Sequence, residues 1–494
     1  MDLPQDPTLL LVIFILCFIL YLSLKSNWGH GNLPPGPTPL PLLGNMLEIG
    51  GDFVKSMMKL RDKYGDVFTV YLGSRPVVIV TGYKAVKEIY VDKSDYYLNR
   101  GDMPIWDDFY KNYGLALTNN IERWKELRRF SLSTLREFGF GKRSTEDRIQ
   151  EETRHLIEEL RKSKESFFDP RQCLSRALCN IIFSVMFGNR CEYKDEEIAT
   201  VLSCIYESFV TASSPWGQIY EMFPGVMRYV PWYHKKFFKY LEKLKQYVNE
   251  KVKINQKTLD PDNPRDYIDA FLIKMEKEKG KTNSEYNMVN LLSSTLQIFF
   301  AGVEPSSSTL TYSLLLILKY PDIRAKMHKE IDQVIGRDRN PTIHDRNDMP
   351  YTEAVIHEIQ RFTDPLPLGV PRKTTKEVKL QGYTLPKDIN VFPLLTSVLK
   401  DPTCFKYPKE FNPENFLNEK GEFQKNSAFM PLAAGKRNCL GEALVRMKLF
   451  LFLITILQNF DLKSPLPLEE VDINPTVSGL GSFPKPYKIA FIPR

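Results

Sequence analysis

The order of apolar and polar positions divides the chain into an anchor, a stiff connector and a long body. Residues 9–24 are uncharged and almost wholly apolar, and with Pro7 and Thr8 the run reaches the ~18 residues needed to span a bilayer. Asp2 and Asp6 precede it and Lys25 follows, an order that places the amino end outside and the rest in the cytosol. No small-residue cleavage site follows, so residues 1–28 read as a retained signal-anchor rather than a cleaved signal peptide. Residues 29–45 carry a proline run whose rings fix φ and keep the backbone extended. It reads as a hinge, with a Pro-x-x-Pro ligand for a signalling domain as the alternative. Residues 66–80 alternate and are β-branched on both sides of Gly-Ser-Arg, which predicts a β-hairpin. Helical periodicity then governs 122–139, 144–163, 171–188, 195–213, 234–257, 265–278, 285–319, 321–335 and 351–362, and a last run at 442–457. The body over 46–494 is therefore expected to be mainly α with minor β (α+β).

Two stretches depart from simple amphipathicity. Residues 215–238 hold Trp216, Tyr220, Phe223, Tyr229, Trp232, Tyr233, Phe237 and Phe238 and include Lys235 and Lys236. This composition suits a lipid headgroup interface or, equally, a helix–helix core. Residues 291–319 form the longest apolar helical run after the anchor, interrupted at 301–306. A second membrane span is the alternative there, opposed by Glu304 and the hydroxyls of residues 306–311.

Composition narrows the functional classes. With 494 residues, 43% of them apolar, the chain can bury a large core. Lys and Arg total 67 against 60 Asp and Glu, too dilute an excess for nucleic-acid binding. The cysteines, at 17, 173, 179, 191, 204, 404 and 439, are odd in number and form no Cys-x-x-Cys pair, which argues against a disulfide framework. The Asn-x-Ser/Thr acceptors, Asn340 and Asn474, are disqualified by the proline that follows each. Both features fit a catalytic body facing the cytosol.

Candidate chemistry concentrates at residues 429–441. They place Cys439 in a loop opening directly onto a helical run, with Lys436 and Arg437 just upstream. A thiol in such a positive field is expected to have a lowered pKa and to act as a nucleophile or metal ligand. Gly435 permits a turn closed to other residues, and Gly441 permits close approach of a flat, bulky group.

This stretch resembles the haem-binding loop of the cytochrome P-450 superfamily, Phe-x-x-Gly-x-Arg-x-Cys-x-Gly. Gly435, Arg437, Cys439 and Gly441 match, whereas Leu432 stands where the family places a Phe that helps set the iron's potential. Other matches run along the chain to its microsomal, drug- and fatty-acid-metabolising family-two branch. Trp124 and Arg128, four apart on one helical face, resemble the pair that binds a haem propionate, and Arg100, Arg372 and Arg437 match further propionate ligands. Residues 291–319 resemble the helix that crosses the distal haem face: Ala301, Gly302 and Glu304 match, and Pro305 occupies the place of the catalytic threonine. Pro305 is expected to kink that helix and free the Ala301 carbonyl. His357 begins a false zinc motif closed by Arg361 in place of His; Glu358 and Arg361 instead match the superfamily's structural ion pair, with Asn415 completing it.

The resemblance implies a cytochrome P-450 fold, a single large helical domain with small β-sheets. It implies haem b with Cys439 as axial iron ligand, whose electron donation favours O–O cleavage. It also implies NADPH electrons arriving through a partner flavoprotein reductase, with cytochrome b5 as a second candidate, and anchorage in the endoplasmic reticulum membrane. Leu117, Ala301, Leu366, Val370 and Leu480 are the positions expected to line the pocket; all are apolar, which points to lipophilic substrates and away from an anchored charged ligand. Lys436, Arg446 and Lys448 are candidate contacts for an acidic reductase. Two alternatives to the monooxygenase remain at this level: an isomerase or dehydratase rearranging peroxides, motivated by the missing threonine, and a non-catalytic haem carrier or sensor.

Overall fold

In the computed structural model, residues 33–494 are described except 140–142 and 479, together with six positions between 11 and 21. The anchor over 1–28 lies, apart from those six, outside the described residues. Among the described residues no helix is long and apolar enough to cross a membrane.

The alternating run forms β1 (Val67–Leu72) and β2 (Arg75–Val80), paired antiparallel with Val67 opposite Val80 and Leu72 opposite Arg75. The hairpin is one edge of a five-stranded sheet, order β1-β2-β7-β4-β3, completed by β3 (Asn99–Arg100), β4 (Arg372–Lys373) and β7 (Asn390–Pro393). Two-stranded ribbons pair β5 (Val378–Leu380) with β6 (Tyr383–Leu385), β8 (Phe460–Lys463) with β11 (Ala490–Pro493), and β9 (Pro475–Ser478) with β10 (Ser482–Pro484). The proline-rich connector is laid along the sheet from residue 33 onward: Thr69 N–H donates to the Pro35 carbonyl at 2.9 Å and Tyr71 N–H to the buried Asn45 Oδ1 at 2.7 Å.

The α-helices of the body longer than five residues are α1 (Phe53–Tyr64), α2 (Pro104–Tyr110), α3 (Ile121–Glu137), α4 (Arg143–Arg161), α5 (Arg171–Met186), α6 (Glu196–Ser213), α7 (Pro215–Met222), α8 (Lys235–Lys257), α9 (Tyr267–Lys277), α10 (Met288–Lys319), α11 (Pro321–Val334), α12 (Pro350–Thr363) and α13 (Glu442–Asn459). Their starts obey capping chemistry. Asn120, Asp266 and Asn287 each accept the N–H three residues on through the side chain, and Pro350 opens α12 where no N–H is needed. The expected helices are all present; α1, α2 and α7 are additions.

Helix α10 is the axis of the molecule. Its side chains are buried on nearly every face, against α5, α8, α12 and α13, as a core helix requires. Its hydroxyls fit an apolar setting by donating back to their own helix: Thr309 to the Pro305 carbonyl, Thr311 to that of Ser307 and Ser313 to that of Thr309, at 2.7, 2.7 and 2.8 Å. The expected interruption at 301–306 is corrected: α10 runs helical through Pro305, because the buried residues on either side of it, from Val303 to Leu318, hold the turn that lacks one donor.

Candidate active site

The Cys439 loop is a single 3₁₀ turn, Gly435–Arg437, followed by α13. Gly435 has φ +73°, and a β-carbon there would sit 1.6 Å from the Tyr90 carbonyl oxygen, so this close approach fixes the residue as glycine. Cys439 N–H donates to the Leu432 carbonyl at 3.1 Å, a backbone contact that any residue at 432 supplies.

The electrostatics of the thiol correct the sequence expectation. Burial pushes Cys439 above the usual thiol range, opposed by the Gly441 N–H, Arg128 and Lys448. The upstream cations act elsewhere, since Lys436 pairs with Asp95 and Arg437 lies over the Trp124 ring with its Cζ 4.5 Å from the centroid. Desolvation, the larger effect, outweighs the pull of Arg128, Lys448 and the Gly441 N–H.

Beside this loop four elements converge cations. β3 and β4 pair so that Arg100 stands opposite Arg372, an arrangement that repels. α3 adds Arg128 and the loop adds Arg437. Burial depresses Arg100 far below the usual range and its three arginine neighbours depress it further; burial with repulsion from Arg372 and Arg128 brings Arg437 to about 8, and Arg372 and Arg128 are also lowered by burial. A guanidinium keeps its proton in proteins, so these shifts express strain that an anion would relieve. No carboxylate acts on any of the four among the described residues. Their partners are neutral oxygens: Ala116 O from Arg100 Nε at 2.8 Å, Thr118 O from Arg437 Nη2 at 2.9 Å and Asn438 Oδ1 from Arg128 Nη2 at 2.7 Å. The Nε atoms of Arg372 and Arg437 are buried with no partner. The expected residues Arg100, Trp124, Arg128, Arg372 and Arg437 are thus brought together, whereas Asn438 and the carbonyls of 116 and 118 were missed, because a main-chain oxygen has no signature in sequence.

On α10, Ala301 is exposed although most of that helix is buried. Gly302 serves packing: a β-carbon there would meet Ile182 of α5 at 2.8 Å. Glu304 is buried, accepts from Ser308 Oγ at 2.8 Å, and is pushed by burial up to about 7, with Arg171 opposing.

The thiol loop thus stands beside four buried cations that lack an anion among the described residues. The family model described as Cytochrome P450 matches residues 34–491. The chain belongs to the cytochrome P450 family. It is 51% identical over 479 residues to "Cytochrome P450 2G1" of Rattus norvegicus, covering 97% of each chain. The Oryctolagus cuniculus "Cytochrome P450 2G1" is 49% identical over 495 residues, 100% of each chain. "Cytochrome P450 2A11" of the same species is 48% identical over 490 residues, 98% of this chain and 99% of the relative. The protein is a P450 monooxygenase, an oxidoreductase of the haem-iron class.

The residues present fit that cofactor. The orphaned guanidinium donors suit its propionates, a β-carbon at Gly441 would meet nothing within 4 Å, and Cys439 is placed to offer sulfur to the metal. When bound, haem supplies the activation of dioxygen. Arg100, Arg128, Arg372 and Arg437 would hold its propionates and Cys439 would supply its thiolate, while burial pushes the Glu304 carboxyl up to about 7.

Of the three cations assigned to reductase docking, Lys448 is corrected. It is 0% exposed, inside α13, and its Nζ donates to the Gly302 carbonyl at 2.9 Å. Helix α13 is apolar on all faces, so even its lysine is enclosed. Lys436 is exposed and Arg446, paired with Glu442 at 2.9 Å, is partly so.

Proposed function

We propose that this P450 inserts one atom of O2 into lipophilic small molecules at the endoplasmic reticulum membrane, with NADPH electrons delivered by a flavoprotein reductase and cytochrome b5 as a further candidate donor. The observation that carries the reading is the cluster of Arg100, Arg128, Arg372 and Arg437, which lacks a counter-anion among the described residues beside a cysteine loop. Lipophilic substrates are supported by a pocket walled by Leu72, Met103, Trp106, Met222, Phe392 and Leu480. Of the expected lining residues Leu480 belongs to that pocket, while Leu117, Ala301, Leu366 and Val370 do not line it. Membrane association is supported by Val226, Tyr229 and Trp232, exposed by 64%, 84% and 53%, next to Lys235 and Lys236. Tyr220 and Phe237 of the same aromatic stretch are buried, so the two readings of it divide between its faces.

Haem-loaded enzyme reconstituted with reductase is expected to convert members of a lipid and drug panel to products one oxygen heavier, dependent on NADPH. Turnover of a peroxide without NADPH, and none with it, would overturn the reading. Pro305 removes the hydroxyl that the family's threonine supplies, and Ser307 and Ser308 donate to the Glu304 carbonyl and carboxyl. Pro305→Thr is therefore expected to raise product formed per NADPH consumed and to lower released peroxide.

A further inference from the structure

Lys448 carries a charge that no anion answers among the described residues. It lies in the second turn of α13, fully enclosed, and its helical neighbours Leu444, Leu451 and Phe452 are buried and apolar. Its Nζ donates to the Gly302 carbonyl of α10 at 2.9 Å, and no carboxylate acts on it among the described residues. Without haem, then, the ammonium rests on one neutral oxygen. A buried cation in that state is costly, and the cost falls only when an anion arrives beside it.

The groups whose charge reaches Lys448 are two sulfurs, Cys439 and Cys179. Cys179 is no anion: it is enclosed in α5, and burial pushes its thiol well above the usual range. Cys439 differs, because a thiol bound to a metal gives up its proton outright. The direction of the side chain suits this pairing. Helical side chains tilt toward the helix N-terminus, and α13 begins three residues after Cys439, so Lys448 leans back toward the cysteine loop. The other charges at Cys439 are already committed. Arg128 is bonded to Asn438 and belongs to the arginine cluster that is short of an anion, and Glu442, of opposite sign, is paired with Arg446 at 2.9 Å. Metal binding would therefore give Lys448 the anion it lacks, and the thiolate in turn favours the protonated amine.

We infer that Lys448 is the counter-cation of the metal-bound Cys439 thiolate and that its charge holds the reduction potential of the iron above the value an uncharged residue at 448 would leave. The inference rests on the haem-thiolate reading of Cys439. A cation near the sulfur favours the more negative, reduced site, so Lys448 eases the uptake of one electron. That electron converts ferric to ferrous iron and comes from the flavoprotein reductase proposed above; no bond is made or broken. Lys448 acts through Cys439 and is a positioning residue. The lysine expected on the surface to dock the reductase thus serves the same electron transfer from the interior.

The test is a spectroelectrochemical titration of the haem-loaded enzyme, wild type against Lys448→Met and Lys448→Gln, without reductase, substrate or NADPH. Gln keeps an N–H for the Gly302 carbonyl but not the charge, and Met keeps neither. Both variants are expected to lower the midpoint potential alike, by about tenfold in the ferrous-to-ferric ratio, which is about 59 mV for one electron. The carbon monoxide stretching frequency of the reduced form is expected to fall in both, as the sulfur donates more freely. A downward shift smaller than about threefold, or an upward one, overturns the inference. So does a shift in Lys448→Met that is absent from Lys448→Gln, which would make the bond to Gly302 a brace and the charge incidental. A wild type whose reduced carbon monoxide complex lacks the red-shifted band of a thiolate haem would overturn the reading of Cys439 and this inference with it. That band together with an unmoved potential in both variants would overturn this inference alone.

Discussion

Two nests of buried charge in this molecule have opposite completeness. In α12, Glu358 and Arg361 are both 0% exposed, and Arg361 Nε and Nη2 each reach the carboxylate at 2.7 Å. The remaining N–H groups donate to the carbonyls of Leu399, Pro408 and Glu410 at 2.8, 2.8 and 2.7 Å. The carboxylate also accepts the Asn412 N–H at 2.8 Å and the Asn415 amide at 3.2 Å. Every donor of that guanidinium is used within the chain. The arginines near Cys439 have no carboxylate among the described residues and two orphaned Nε atoms. A nest closed on itself is scaffold, and one that is short of an anion is a binding site. Burial alone does not tell them apart; the census of partners does.

The largest expected effect is at the closed nest. Glu358→Ala strands the Arg361 charge and should cost ~3–5 kcal/mol, read by denaturant unfolding of the haem-loaded protein. Adding Arg361→Met should restore little, because the carbonyls of 399, 408 and 410 then lose their donor. Near-complete restoration would show that the pair acts only on itself.

At the open nest the sign depends on the ligand. Arg437→Gln removes one of several mutually repelling buried cations and should stabilise the haem-free protein by about 2 kcal/mol while weakening haem retention. Thermal unfolding with and without haem checks both; destabilisation of both forms alike would make Arg437 scaffold after all.

Glu304 lies between these extremes, with a single hydroxyl on its carboxyl. Burial pushes its carboxyl up to about 7 in the folded protein, against 4.5 for a carboxyl in water. Between those pH values the folded state binds more protons, so this group's contribution to stability falls as pH rises through that window. Glu304→Gln should flatten that slope, by roughly 3 kcal/mol across the window. The smallest effect is expected at Lys448, an ammonium resting on one carbonyl: Lys448→Met should raise stability by about 1 kcal/mol in a denaturant titration. A loss instead would show that its bond to Gly302 braces α10 against α13.

Much of this was legible in the chain. Periodicity placed the helices, and the spacing of Gly435, Arg437, Cys439 and Gly441 marked the loop, because such patterns encode turn geometry and ligand chemistry within a few residues. The pairing of Glu358 with Arg361 was readable for the same reason, being local to one helical face. Helix α1 was missed although Phe53, Val54 and Met57 bury one face and Asp52 caps it, because only the strands beside it make so short a helix worth forming.

The sequence by itself determined which residues carry charge, sulfur and flexible backbone, and in what local order. Only the tertiary structure decided which charges find partners. Arg100 and Arg372 meet because β3 and β4 pair, Lys448 is enclosed because α13 packs against α10, Cys439 is raised rather than lowered because burial outweighs the pull of Arg128 and Lys448, and Glu221 borders a pocket without a salt-bridge partner among the described residues. Desolvation and Coulomb energy depend on distances between residues far apart in the chain, and those distances exist only once it has folded.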